Sequence, residues 1–181
     1  VQVRQLGTIV GNVCWADPRA NFAVTALASN ATVNVVTSDD PSGINQKPID
    51  DFYVGFKQTS LRNELVASID IPVLSAVGRY SEFSRQRQDL AIVNVCVVCG
   101  NENEVSRVAV GGIHETPVRL LGAEEELNRQ GGVDLQRLEQ AIDATIADQR
   151  FVPPNEYFAS TEYKFELAKT LIVRVTRKIG K

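Results

Sequence analysis

The chain has 181 residues, 44% of them hydrophobic and 23% charged, enough to bury a real core without disulfide staples. Its 19 Lys and Arg against 22 Asp and Glu leave a net charge of -3, so no basic field exists to draw phosphate backbones or anionic lipid, and nucleic acid is excluded as a partner. No apolar run reaches the roughly 18 residues of a membrane span, and the first residues lack a basic-then-apolar signal pattern, so we expect a soluble, cytoplasmic protein with no membrane insertion.

Gly7-Thr8-Ile9-Val10-Gly11-Asn12 reads as a glycine loop. Pro18 suits a helix N-terminus, and Phe22, Ala23, Ala26 and Leu27 follow at helical spacing with Ser29-Asn30 as the stop. Residues 31–37 alternate and are rich in Val, which predicts a strand, and Ser38-Asp39-Asp40-Pro41-Ser42-Gly43 makes the turn after it. Residues 64–71 form the next strand, and the chain divides near Ile71-Pro72 into a first domain, 1–73, and a second, 74–181.

Beyond Pro72, residues 78–83, 89–99 and 105–111 predict three strands of an antiparallel meander, the last two joined by Gly100-Asn101-Glu102-Asn103. Thr116 as N-cap and Pro117 at the first helical position then open a helix that carries Val118, Leu121 and Leu127 inward, with Gly122 unexplained inside it. A second helix, capped by Asp134, aligns Leu135, Leu138, Ile142 and Ile146; a third aligns Tyr163, Leu167, Leu171 and Val175. Strands first and helices afterwards indicate an α+β fold.

The glycine loop is the first candidate for chemistry. A diphosphate needs backbone N–H groups at close range, which small residues permit, and Thr8 and Asn12 add polar side chains without net charge. Two glycines four apart also occur in ordinary turns, so the loop alone assigns nothing.

The three cysteines, Cys14, Cys96 and Cys99, are an odd number that speaks against a secreted disulfide framework. Cys96-Val97-Val98-Cys99 invites a redox or zinc reading, but the pair falls on a predicted strand, where its members point to opposite faces, and only Cys14 and His114 remain to complete a zinc site. Small buried hydrophobes are the plainer reading. His114, beside Glu115, is either a general base or an exposed loop residue. Asn94 lies in an apolar strand on the face of Leu90, Ile92 and Cys96, so its burial requires hydrogen-bond partners.

A series of motifs runs the whole length of the chain: Gln2-Val3-Arg4 with the glycine loop, Ile49-Asp50-Asp51-Phe52-Tyr53-Val54-Gly55-Phe56-Lys57-Gln58-Thr59 and Leu65 to Pro72. It continues through Phe83-Ser84-Arg85-Gln86-Arg87-Gln88-Asp89-Leu90-Ala91-Ile92-Val93-Asn94, Val108-Ala109-Val110-Gly111-Gly112, Thr116-Pro117-Val118-Arg119 and the helix from Tyr163. In order and spacing this series resembles the flavoprotein subunits of molybdenum hydroxylases, the family of carbon monoxide dehydrogenase, xanthine dehydrogenase and nicotinate dehydrogenase.

The resemblance implies the second subdomain of a two-part FAD-binding domain, then a small C-terminal domain of three antiparallel strands and a three-helix bundle. It implies an oxidoreductase component, inactive alone, in which electrons leave a molybdopterin cofactor in a large subunit, cross iron-sulfur clusters in a small subunit, and reach FAD before passing to an external acceptor. The iron-sulfur subunit and the molybdopterin-binding large subunit are the expected partners; molybdopterin and the clusters are expected only there. Thr8, Gly11, Asn12, Asn21 and Leu65 are the expected FAD-binding residues, none of them catalytic. Trp15 either walls the flavin or simply packs, and Arg85, Arg87 and Asp89 either face the flavin or a partner or are solvated.

Two departures stand out. Val10-Gly11 replaces two adjacent glycines, and Asn21 stands where many relatives place an acid. The family's first FAD subdomain is expected before Val1, and a chain without Met is expected to be a fragment or a processed product. The alternative from another class is an assembly or docking module that holds no FAD by itself.

Overall fold

The computed structural model describes residues 5–40, 42–86, 88–100, 105–154 and 158–179. Arg87 and most of the turn expected at 100–103 lie outside them.

The expected glycine loop is a helix, α1, over Ile9–Cys14. Thr8, in an extended conformation, accepts a hydrogen bond from the Gly11 amide at 2.9 Å, so the hydroxyl caps the turn and the chain coils immediately. Helix α2, Asn21–Ala28, begins three residues after Pro18 and buries Ala23, Val24, Ala26, Leu27 and Ala28. It stops where Ser29-Asn30 predicts, and for a definite reason. Asn30 takes a positive φ of 55°, and the amides of Ala31 and Asn30 return to the carbonyls of Ala26 and Leu27 in a Schellman closure.

Strand β1, Thr32–Thr37, is the centre of an antiparallel sheet between β2, Asn45–Pro48, and β5, Glu64–Asp70. Between β2 and β5, a 3-10 turn at Ile49–Asp51 precedes a small hairpin of β3, Tyr53–Gly55, and β4, Gln58–Thr59. Sequence pattern missed β2 because it is short and polar, and the hairpin because its strands are only three and two residues long.

The second sheet is antiparallel with order β6-β7-β8-β9: Val77–Phe83, Val93–Cys99, Arg107–Gly111 and Val118–Arg119. β7 is buried on both faces, which is why its sequence runs apolar without alternation. Val93, Val95 and Val97 face α4, Leu135–Gln149, and α5, Thr161–Ile179, in one core. Cys96 and Val98 face α2, β1 and Phe52 in the other. The four-stranded sheet is therefore the shared wall of both cores.

The helix expected from Thr116 starts later. Residues 118–119 pair with β8, the Leu120 amide donates to the Val108 carbonyl at 2.9 Å, and α3 runs over Leu121–Leu127. Leu121 is consequently 49% exposed rather than inward. Gly122 now has an explanation: a Cβ there would stand 2.3 Å from the Thr145 hydroxyl on α4, so the glycine lets the two helices touch. Asp134 caps α4 as expected, accepting from Gln136 and Arg137, and Leu138 and Ile142 are fully buried.

Candidate functional site

The body of α1 meets the start of α2, and a single amide joins them. The Phe22 N–H donates to Asn12 Oδ1 at 3.2 Å and to Asn21 Oδ1 at 2.9 Å. Both side-chain amides thus turn their oxygens inward, because an N–H must face an acceptor. Their Nδ2 groups have no partner among the described residues, and the Thr8 hydroxyl, already accepting from Gly11, keeps its own proton to donate. The result is a surface that offers three neutral donors while its acceptors are consumed internally.

Gly11 is integral to this arrangement, since a Cβ at that position would lie 2.9 Å from Thr8 Oγ1. The first two amides of α1, those of Ile9 and Val10, have no acceptor within the helix by geometry. Of the five sequence-derived site residues, Thr8, Gly11, Asn12 and Asn21 come together here. Leu65 lies on β5, which packs against α1, and is 70% exposed, with no bond to the other four.

Electrostatics around the site rest on Asp17. It is fully buried and binds Arg19 in a two-point pair, with both contacts at 2.9 Å, while Lys57 stands 3.5 Å away. Burial pushes the Asp17 carboxyl up, yet the hydrogen bonds and charge of Arg19, with the charge of Lys57, outweigh it and hold the group below the usual carboxylate range. Lys57 Nζ also sits 4.8 Å above the centroid of the Trp15 ring, which is more than half exposed. Sequence reasoning missed Asp17 and Lys57; their separation along the chain gave no signal for a pair closed by the β3–β4 hairpin.

The remaining candidates resolve into structural contacts. His114 Nδ1 accepts from the Val152 amide at 3.1 Å and its ring tilts onto Phe151; burial pushes its pKa down against the opposing charge of Glu115. Arg85 stacks on Phe158 at 5.1 Å. Cys96 packs in the core shared with α2 and Cys99 against the helical core, so the two thiols face opposite sides of β7. Burial pushes the Cys96 thiol up to about 11. Among the described residues no three His, Cys, Asp or Glu side chains group as a metal would require. Asn94 is fully buried and its Nδ2 finds two acceptors, while its Oδ1 has no partner among the described residues; it shares the face of Cys96 and not that of Ile92, which turns into the helical core.

The Thr116-Pro117-Val118-Arg119 motif proves to be an ion-pair anchor. Arg119 donates to both carboxylate oxygens of buried Glu124 and to Asp50 at 3.1 Å, and Asp50 also faces Arg107 at 3.6 Å. Glu124 in turn accepts the Val108 amide at 2.9 Å. The network ties the 3-10 turn of the first sheet to β8, β9 and α3.

Comparison with known proteins agrees over the full length. Residues 1–74 match the family described as the FAD binding domain in molybdopterin dehydrogenase, and residues 78–179 match the CO dehydrogenase flavoprotein C-terminal domain. The chain is 31% identical to the glyceraldehyde dehydrogenase medium chain of Sulfolobus acidocaldarius, over 99% of this chain and 64% of that protein. It is 30% identical to the nicotine 6-hydroxylase medium subunit of Paenarthrobacter nicotinovorans, over 99% of this chain and 62% of the other. Carbon monoxide dehydrogenase of Hydrogenophaga pseudoflava superimposes with a TM-score of 0.86 at 25% identity, over 99% of this chain and 62% of that one. The chain therefore spans 62–64% of the length of these relatives. With both domain models matched in order across residues 1–179, the chain belongs to the family of FAD-binding medium subunits of the molybdenum hydroxylases.

Proposed function

We propose that this chain holds one side of an FAD and relays electrons from the iron-sulfur clusters of a small subunit to an external acceptor, within a cytoplasmic complex whose large subunit carries molybdopterin. The observation that carries the reading is the outward set of donors on Thr8, Asn12 and Asn21, with their acceptors engaged by Gly11 and Phe22. Such a surface fits the oxygens of a diphosphate or ribityl chain and contributes no opposing charge.

Bound FAD would supply the redox chemistry through its isoalloxazine ring. The protein's residues bind and orient it: Thr8, Asn12 and Asn21 donate hydrogen bonds, Gly11 leaves the cap undisturbed, and Leu65 lends an apolar flank. Residues 1–73 would form the flavin-facing domain and 74–181 the domain that buttresses it.

The test is an FAD titration of the purified chain, followed by flavin absorbance and fluorescence, together with co-purification alongside the iron-sulfur and molybdopterin subunits. Saturable uptake, alone or once the family's first FAD subdomain is supplied, is the expected result. No uptake under either condition would sink the flavin reading and leave only a docking role, which co-purification would then reveal.

A further inference from the structure

β7 and β8 place Asn94 directly opposite Gly111, and two consecutive carbonyls from the far side of the chain rest on that pair. Asn94 Nδ2 donates to the Arg19 carbonyl at 2.9 Å and to the Tyr80 hydroxyl at 3.3 Å. A Cβ on Gly111 would lie 1.9 Å from the Pro18 carbonyl and 2.2 Å from Asn94 Oδ1, so the absence of a side chain is what seats both groups. Tyr80 is itself held by donating to Glu82 at 2.5 Å.

The seated peptide leads directly into α2. Ala20 is the N-cap of that helix, and its amide returns to the Asp17 carbonyl at 2.9 Å. Asn21 and Phe22 come next, and Phe22 is the amide that orients Asn12. Holding Pro18 and Arg19 therefore fixes where α2 starts and where both asparagines stand.

Stability alone does not account for the residue. Asn94 is fully buried in an apolar strand, and its Oδ1 has no hydrogen-bond partner among the described residues, an arrangement that costs free energy relative to an apolar side chain of similar size. What the amide provides, and Val would not, is a directional hold on one carbonyl.

We propose that Asn94, seated against Gly111, is a positioning residue by which the second sheet sets the start of α2 and thereby the donors at Asn12 and Asn21. Its consequence for cofactor affinity rests on the flavin reading above. The test compares Asn94→Ala with Tyr80→Phe, which removes the other partner of the amide but leaves the Arg19 carbonyl held. Two readouts are taken: the amide resonances of Asn12 and Phe22 without FAD, and FAD affinity in the flavin-competent assembly.

Asn94→Ala should displace both resonances and weaken FAD about tenfold, the scale of one lost hydrogen bond. Tyr80→Phe should lower resistance to urea while leaving resonances and affinity within twofold. Unmoved resonances in Asn94→Ala, or affinity losses in both variants that merely track their stability, would overturn the proposal. Displaced resonances in a protein that takes up no FAD would uphold the positioning of α2 and overturn the flavin reading instead. Should Asn94→Ala not fold, Asn94→Thr serves, its hydroxyl being too short to reach the Arg19 carbonyl, with the same outcomes.

Discussion

Gly122 sets two effects of known size against each other. Replacing a glycine within a helix by Ala favours folding by about 1 kcal/mol through backbone entropy. Here the new Cβ would stand 2.3 Å from Thr145 Oγ1 and 3.3 Å from the Ala141 carbonyl, and overpacking of that kind costs about 1–3 kcal/mol. The hydroxyl cannot swing aside freely, because it is bonded to the Ala141 carbonyl at 2.7 Å and a helical Thr has few rotamers. Overpacking should win, leaving Gly122→Ala less stable by about 1 kcal/mol, or about 0.5 M in urea midpoint. Thr145→Ala alone should be nearly neutral, since its hydroxyl serves only a carbonyl of its own helix. Combined, the two Cβ atoms would lie 3.8 Å apart, an ordinary contact, so the double variant should regain the helix-forming benefit and exceed the parent. Urea unfolding of the four proteins in a mutant cycle measures the coupling. A stabilised Gly122→Ala, or a coupling below about 0.5 kcal/mol, would refute the argument.

Four further outcomes are expected. Asp17 has a depressed pKa in the folded state, so its stabilisation is fully present above the unfolded value of about 4 and is lost as pH falls through the lower folded value. Urea midpoints should therefore fall more steeply below about pH 4 for the parent than for Asp17→Asn, and parallel curves would contradict this. Glu124→Ala leaves the half-buried Arg119 with Asp50 as its remaining carboxylate and strands the Val108 amide, and should cost about 2–3 kcal/mol by urea unfolding, whereas Arg129→Ala, at an exposed arginine, should stay within about 0.5. Gly11→Ala displaces the Thr8 cap, a loss of about 1 kcal/mol that helix propensity offsets, so stability should hold while FAD affinity drops. Unchanged affinity there would remove the Thr8 turn from the site. Finally, Cys96, buried and with its thiol raised to about 11, should resist iodoacetamide at pH 8 until the chain unfolds; rapid native alkylation would contradict its burial.

Much of the layout was readable from local pattern. The stop at Ser29-Asn30, the Asp134 cap and the apolar face of α4 depend on residues within one or two turns and appear where expected, as do Leu167, Leu171 and Val175 on α5; Tyr163, expected on that same face, is 45% exposed. The order of motifs also identified the family, although the local chemistry of Thr8 to Asn12 did not. The failures have two causes, one a distant contact and one a local cap. Residues 118–119 pair with β8 because Arg119 finds Glu124 and Asp50, and the latter lies 69 positions away. The glycine loop became a helix because a hydroxyl three residues back could cap it.

By itself, the sequence determined the α+β class, the apolar run of β7 and the set of polar residues at the start of the chain. Only the tertiary structure decided that Asn12 and Asn21 share the Phe22 amide and that Arg19 rests on Asn94, 75 positions away. Periodicity records which faces are buried, because burial depends on composition along one element. Which carbonyl meets which amide across two sheets is fixed by packing, and no local pattern encodes that distance.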